Sequence, residues 1–209
     1  MLKLAPEGYP FIVFFAVITV IVFLAGGTWI AFLPFMLTAF MLYFFRDPER
    51  EIPHGEGLFV SPADGKIILI KDIFEKDYLK TDTKQISIFM SPLNVHVNRA
   101  PCDGTVESVV HTSGKFLSAF KHEASLQNEN IAMAMNTKYG KILVRQVAGF
   151  LARRAVCRVQ AGGSLKRGER YGIIKFSSRL DIYLPKYTDI KVKSGDRVKA
   201  GETIIGVIK

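Results

Sequence analysis

Between Glu7 and Arg46 the sequence contains no charged residue. A water-facing surface needs charges of both signs, so this segment is not part of an ordinary soluble domain. Cysteine is scarce as well. Cys102 and Cys157 are too few for a disulfide framework and lack metal-site spacing, so reduced, buried thiols are expected, as in a cytosolic domain. The histidines, His54, His96, His111 and His122, have no ligand spacing, and no metal is expected. The chain also lacks a Gly-x-Ser-x-Gly nucleophile elbow, and it has neither an RNA-binding aromatic signature nor a helix-turn-helix pattern.

What fills the charge-free gap is apolar: PFIVFFAVITVIVFLAGG followed by TWIAFLPFMLTAFMLYFF. As one helix, residues 8–45 would be about 57 Å long at ~1.5 Å per residue. The hydrocarbon core is only ~30 Å thick, so a single straight crossing fits poorly. Gly26-Gly27 divides the run into two arms. Residues 1–45 therefore read as a membrane-associated helical hairpin, either two short transmembrane helices or a re-entrant wedge. Lys3 at one end and Arg46 and Arg50 at the other place both ends in the cytoplasm. A cleaved signal peptide fits less well, because its single lysine is offset by Glu7 and a second apolar arm follows at once. Neither arm has a polar face, which argues against a buried core pair. Lys3 and Glu7 cancel, so the net charge of +9 belongs to residues 46–209. Beside a membrane hairpin, that charge points to an anionic lipid surface rather than nucleic acid.

Residues 46–209 read as one mainly β domain, a hairpin-rich sandwich or barrel. Short apolar and β-branched runs (LFVS, KIILIKDI, KQISIFM, NVHVNRA, GTVESVV, NIAMAMN, KILVRQVAG, CRVQAG, YGIIKF, DIYLP, KVKSG, ETIIGVI) alternate with turn residues. KFLSAFKHEASLQNEN interrupts them, as a helical turn on the core or as a loop dipping Phe116, Leu117 and Phe120 into a bilayer. SPADGKII (61–68) is echoed by APCDGTVE (100–107), and VKSGDRVKAGETIIGVI (192–208) supplies another Gly-Asp turn into a strand. Pro-x-Asp-Gly is turn chemistry, with proline presetting φ and glycine accepting positive φ.

The stretch GIIKFSSRLDIYLP (172–185) is strand-like yet carries Ser177, Ser178 and Arg179 in its middle. With Asp64 and His96, either serine completes the acid, base and nucleophile types of a serine triad. Those residue types occur together in many proteins, and spacing alone does not bring them to one place.

In order along the chain, FFRDPER (44–50), VSPADGKI (60–67), SPLNVHVNRAPCDG (91–104), GKFLSAF (114–120), NEN (128–130), IIKFSSRLDIYLP and VKSGDRVKAGETIIG resemble the phosphatidylserine decarboxylases, most closely their short bacterial and archaeal form. The similarity runs from about residue 44 to the end, with the apolar hairpin also in its usual place. The resemblance implies a pyruvoyl enzyme made by self-processing. The chain would break between Ser177 and Ser178, giving residues 1–177 and 178–209, which stay together as a heterodimer or larger oligomer. Ser178 would become the covalent pyruvoyl cofactor, with His96 the proton-transfer base and Asp64 its orienting partner. The pyruvoyl ketone would form a Schiff base with phosphatidylserine and act as electron sink for its decarboxylation to phosphatidylethanolamine. Two positions depart from the family. Long forms carry two histidines where this chain has His96 and Arg99, and the residue before the reactive serine is usually glycine where this chain has Ser177. Other pyruvoyl enzymes are cut between two serines.

Two other classes remain open on the residues alone. A membrane-tethered, non-catalytic module of the lipoyl type would present a modifiable lysine at a hairpin tip, and no such tip is present. A membrane-anchored serine hydrolase would label with a fluorophosphonate at Ser178 and stay one chain.

Overall fold

The computed structural model describes residues 3–114, 128–149, 155–175 and 178–208. Within this chain two compact units separate, Met1–Glu49 and Arg50–Lys209.

The first unit is a helical hairpin. A 3-10 turn, Pro6–Gly8, leads into α1 (Tyr9–Leu24), and α2 (Thr28–Phe44) follows. The break falls at the glycine pair, where Gly26 has φ +82°, a conformation glycine adopts without steric cost. The open ends are tied by backbone hydrogen bonds, Ala5 N–H to the Phe45 carbonyl and Asp47 N–H to the Lys3 carbonyl, both 2.8 Å. Inside, the Thr19 and Thr38 hydroxyls face each other at 3.5 Å. Each also donates to the carbonyl four residues back, so neither is left unsatisfied in the apolar environment. Outward, the hairpin holds fifteen of the nineteen exposed large apolar side chains among the described residues. Pro6–Leu24 is long and apolar enough to cross a membrane, with mean hydropathy 2.2.

The second unit is mainly β. In chain order its strands are β1 (Leu58–Val60), β2 (Gly65–Glu75), β3 (Thr81–Met90), β4 (Val97–Arg99) and β5 (Gly104–Thr112). Then come β6 (Asn130–Thr137), β7 (Gly140–Ala148), β8 (Ala155–Cys157), β9 (Ser164–Leu165) and β10 (Arg170–Ile174). The last are β11 (Ser178–Pro185), β12 (Asp189–Ile190), β13 (Arg197–Val198) and β14 (Ile204–Val207). A curled eight-stranded sheet runs β13-β2-β3-β11-β7-β6-β5-β9. Two three-stranded sheets, β4-β10-β8 and β1-β14-β12, complete it, and every pairing is antiparallel.

β11 lies at the centre and every residue of it is buried. Its alternation puts Leu180, Ile182 and Leu184 into the main core with Ile86, Ile88, Val144 and Tyr171. The opposite side of the strand carries Arg179, Asp181 and Tyr183, and Tyr183 packs with Leu79, Ala132 and Leu143. Most strand runs lie where the alternation predicts. KVKSG does not: Lys191–Gly195 is irregular and ends in a turn at Gly195, φ +99°. NVHVNRA yields only the three residues of β4, because the SPLN turn consumes its start. The KFLSAFKHEASLQ stretch, with His122, lies outside the described residues.

The echo between the two Pro-x-Asp-Gly turns extends into three dimensions. Each Asp-Gly opens a long strand, β2 or β5, and faces a second turn, Lys199–Glu202 or Lys166–Glu169, built on the same Lys-x-Gly-Glu pattern. Asp64 Oδ1 accepts the Ala200 N–H at 2.8 Å, and Asp103 Oδ1 accepts the Arg167 N–H at 2.7 Å. The glycines that follow, Gly201 and Gly168, share φ near +79° and +78°. β13 pairs with the start of β2 as β9 pairs with the start of β5.

Candidate functional site

Ser178 begins β11, between Met90 of β3 and Ala148 of β7. It is fully buried on the core side, and its Oγ–H points to Met90 Sδ at 3.5 Å, a weak acceptor. Ser177 lies outside the described residues. The NEN block serves this end of the strand. Ala148 N–H donates to the Glu129 carbonyl at 2.9 Å, and the Asn128 side-chain amide donates to the Ala148 carbonyl at 2.7 Å. The neighbour of Ser178 is thus clamped on its own outer edge.

His96 is fully buried just before β4. The preceding turn is self-closed: the Ser91 N–H and Oγ–H both donate to Asn94 Oδ1, at 2.9 and 2.8 Å. This turn presents the Asn94 carbonyl to His96 Nδ1 at 2.9 Å. A ring nitrogen facing a carbonyl carries the proton, which makes Nε2 the basic nitrogen of the neutral ring. The His96 carbonyl accepts the Ile174 N–H at 3.3 Å, and the chain reaches Ser178 four residues later. The elements carrying His96 and Ser178 are therefore neighbours.

Sequence reasoning missed Asn98 and Gln146, which link the same elements. Both are buried; Gln146 Nε2 donates to Asn98 Oδ1 at 2.8 Å, and Asn98 Nδ2 approaches Met90 Sδ at 3.8 Å. Met90 sulfur thus lies against both the Asn98 amide and the Ser178 hydroxyl. Gly172 makes room for the amides, since a Cβ there would lie 3.0 Å from Gln146 Nε2 and 2.3 Å from the Val156 carbonyl oxygen. The spacing His96–Asn98 was the available signal, because alternate residues of an extended chain share a side.

Asp64 is held elsewhere in its own cluster. Arg50 Nη2 donates to both its oxygens, at 3.1 and 2.9 Å, while Arg50 Nη1 reaches Glu202 at 3.4 Å. Arg99 N–H, three residues after His96, donates to the Pro62 carbonyl at 3.0 Å and so stitches the Asp64 turn to β4. Arg99 is buried, and its Nη1 donates to the Gly168 carbonyl at 2.8 Å.

The two thiols are poor nucleophiles here. Burial, reinforced by Asp103, pushes the Cys102 thiol from 9.0 up to about 12, and burial raises Cys157 as well. Among the described residues no group of three His, Cys, Asp or Glu side chains could hold a metal ion. The chemistry on offer is a buried hydroxyl at a strand head and a buried imidazole on an adjoining segment, with the Asp64 carboxylate held in a separate cluster.

Known proteins resemble the chain over nearly its whole length. The phosphatidylserine decarboxylase family profile matches residues 37–206. The chain is 48% identical over 205 residues to the phosphatidylserine decarboxylase proenzyme of Syntrophus aciditrophicus, covering 97% of this chain and 96% of that protein. The proenzymes of Desulfotalea psychrophila and Chlorobaculum tepidum are 45% and 43% identical, each over 98% of this chain and over 96% and 98% of their own lengths. The chain belongs to the phosphatidylserine decarboxylase family.

Proposed function

We propose that this chain is a phosphatidylserine decarboxylase that cuts itself before Ser178 and uses the residue left there as its reactive group. The observation that carries the reading is the position of Ser178: a buried hydroxyl at the head of the central strand, beside the segment that carries His96.

Cleavage needs only atoms of the chain and one water. Ser178 Oγ attacks the carbonyl carbon of residue 177, and His96 Nε2 takes the hydroxyl proton. The C–N bond breaks as the imidazolium passes that proton to the Ser178 nitrogen, and an ester forms. Loss of the Ser178 Cα proton then breaks the Cβ–O bond, releasing residue 177 as a carboxylate. Water hydrolyses the remaining dehydroalanine, and ammonia leaves. The side chain of Ser177 is not consumed, so two adjacent serines satisfy the chemistry.

A pyruvoyl group at position 178 fits its surroundings, because the strand head is held on both sides and lined by Met90 and the Asn98 amide, with water excluded. Once formed, such a group would supply a ketone for the substrate amine and an electron sink for the decarboxylation. Met90 and Ala148 keep the strand end in register, the Asn98–Gln146 amides hold β4 against β7, and His96 returns a proton to the substrate carbon.

The hairpin supports a membrane location. Leaving side chains such as Phe14, Leu24, Trp29 and Leu33 in water would forgo roughly 1.5–3 kcal/mol each. With both hairpin ends tied together and Lys3 and Arg46 at that end, the catalytic unit would face the cytoplasm against anionic lipid. The residues 1–177 and 178–209 would remain one heterodimer, since β11 pairs with β3 and β7 on either side.

Purified full-length chain in mixed micelles should release CO₂ from phosphatidylserine. Ser178→Ala should stay uncut and inactive, Ser177→Gly should be cut faster, and His96→Ala should slow cutting and turnover. A Ser178→Ala chain that still decarboxylates would end the proposal.

A further inference from the structure

We propose that Asn98 is a catalytic residue for chain cleavage, its side-chain amide donating to Ser178 Oγ as negative charge develops there. The inference rests on the reading that Ser178 cuts the chain.

The direction of the amide follows from its neighbours. Gln146 of β7 stands opposite Leu180 of β11, and Ser178 precedes Leu180 by two residues, so Gln146 and Ser178 project from the same side of the sheet. The amide end of Gln146 lies between two oxygens, Asn98 Oδ1 at 2.8 Å and the Val156 carbonyl at 3.4 Å. Only an NH₂ group suits that place, because an oxygen there would face two acceptors. Asn98 therefore spends its oxygen on Gln146 and turns its nitrogen the other way, to Met90 Sδ at 3.8 Å.

That sulfur already has a donor. Ser178 Oγ–H points to it at 3.5 Å, and Asn98, Met90 and Ser178 are all fully buried. Two buried donors thus converge on one weak acceptor. A buried donor without a strong acceptor costs stability, and apolar side chains at 98 and 146 would serve the fold as well. What the arrangement supplies is an N–H held beside the serine hydroxyl where water has no access.

Cleavage provides the missing acceptor twice. As Oγ attacks the carbonyl of residue 177, its proton leaves for His96, and its lone pairs take the Asn98 N–H in place of sulfur. When the Cβ–Oγ bond later breaks, the bonding pair stays on Oγ, which departs in the carboxylate of residue 177. The same N–H meets that charge. Asn98 gives up no proton in either step. Gln146 is its positioning residue, since it fixes which end of the Asn98 amide faces Ser178.

The test uses full-length chain synthesised in a cell-free system with vesicles of phosphatidylethanolamine and phosphatidylglycerol, with cutting followed by gel and intact mass over time. Asn98→Leu should cut roughly 100-fold more slowly than the native chain, the loss typical of one missing donor. It also strands the Gln146 amide, so Asn98→Leu with Gln146→Leu accompanies it. Removing both partners of a buried hydrogen bond is nearly neutral for stability. Thermal melts of the double variant, with Ser178→Ala to keep it whole, should therefore match those of Ser178→Ala alone. Its cutting should nevertheless be as slow as that of Asn98→Leu and no slower, because without Asn98 the Gln146 amide has nothing to aim. A stable double variant that cuts at the native rate would overturn the inference. So would one that melts far below the Ser178→Ala chain, since the amides would then be needed for the fold. A native chain that stays uncut would instead refute the reading of Ser178, and the native control in each run tells the two failures apart.

Discussion

Replacing Asp181 with leucine would strip a carboxylate from a guanidinium that has almost no access to water. Arg179 Nε donates to Asp181 at 2.6 Å, and the two side chains are 2% and 0% exposed. Arg179 also holds Ser87 Oγ at 2.8 Å, which survives the change and is a poor substitute for a charge. Breaking a buried pair from one side costs about 3–5 kcal/mol. In a unit of this size each kcal/mol moves the midpoint by about 2–4 °C, so the melt should fall by roughly 6–20 °C. Replacing both residues with leucine removes the burial cost together with the attraction, and stability should return to within about 1 kcal/mol of native or exceed it. Thermal melts by near-ultraviolet circular dichroism, on detergent-solubilised full-length protein with Ser178→Ala to keep it one chain, would measure both. A loss below about 1 kcal/mol for Asp181→Leu would refute the reasoning, as would a double variant as unstable as the single one.

Gly168→Ala should destabilise the fold by about 1–3 kcal/mol, because φ there is +78° and a Cβ would lie 2.2 Å from Ile52 Cδ1; a urea titration reads the change. Cys102 predicts an alkaline weakness. Its folded pKa, about 12, lies above the unfolded 9.0, so stability is whole below pH 9 and falls between pH 9 and 12 as the unfolded thiol ionises. The slope should reach about 1.4 kcal/mol per pH unit and should lessen by that amount in Cys102→Ala.

Much of the architecture is legible in the sequence because its causes are local. The charge gap and the Gly26-Gly27 pair mark the hairpin, and period-two runs with Asp-Gly turns mark most strands. What stays hidden depends on pairing between distant segments. Ser178, Arg179 and Asp181 look like solvent-facing polarity in a strand, and only the pairing of β11 with β3 and β7, on a sheet covered on both sides, buries them. Arg50 looks like a membrane flank because its partner is fourteen residues away in sequence and its other contact is beyond residue 200. Asn98 and Gln146 form one amide pair across forty-eight positions, which no local pattern announces. Asp64 and Asp103 are nearly identical as sequence, yet Asp64 is buried against the Arg50 guanidinium and Asp103 is exposed.

The account turns on whether the Ser178 hydroxyl cuts the chain. Intact-mass analysis of purified full-length protein tests this most directly. Two polypeptides should appear, residues 1–177 and residues 178–209, the second with a blocked keto terminus that shifts in mass on treatment with hydroxylamine. A single uncut chain that nevertheless decarboxylates phosphatidylserine would contradict the account.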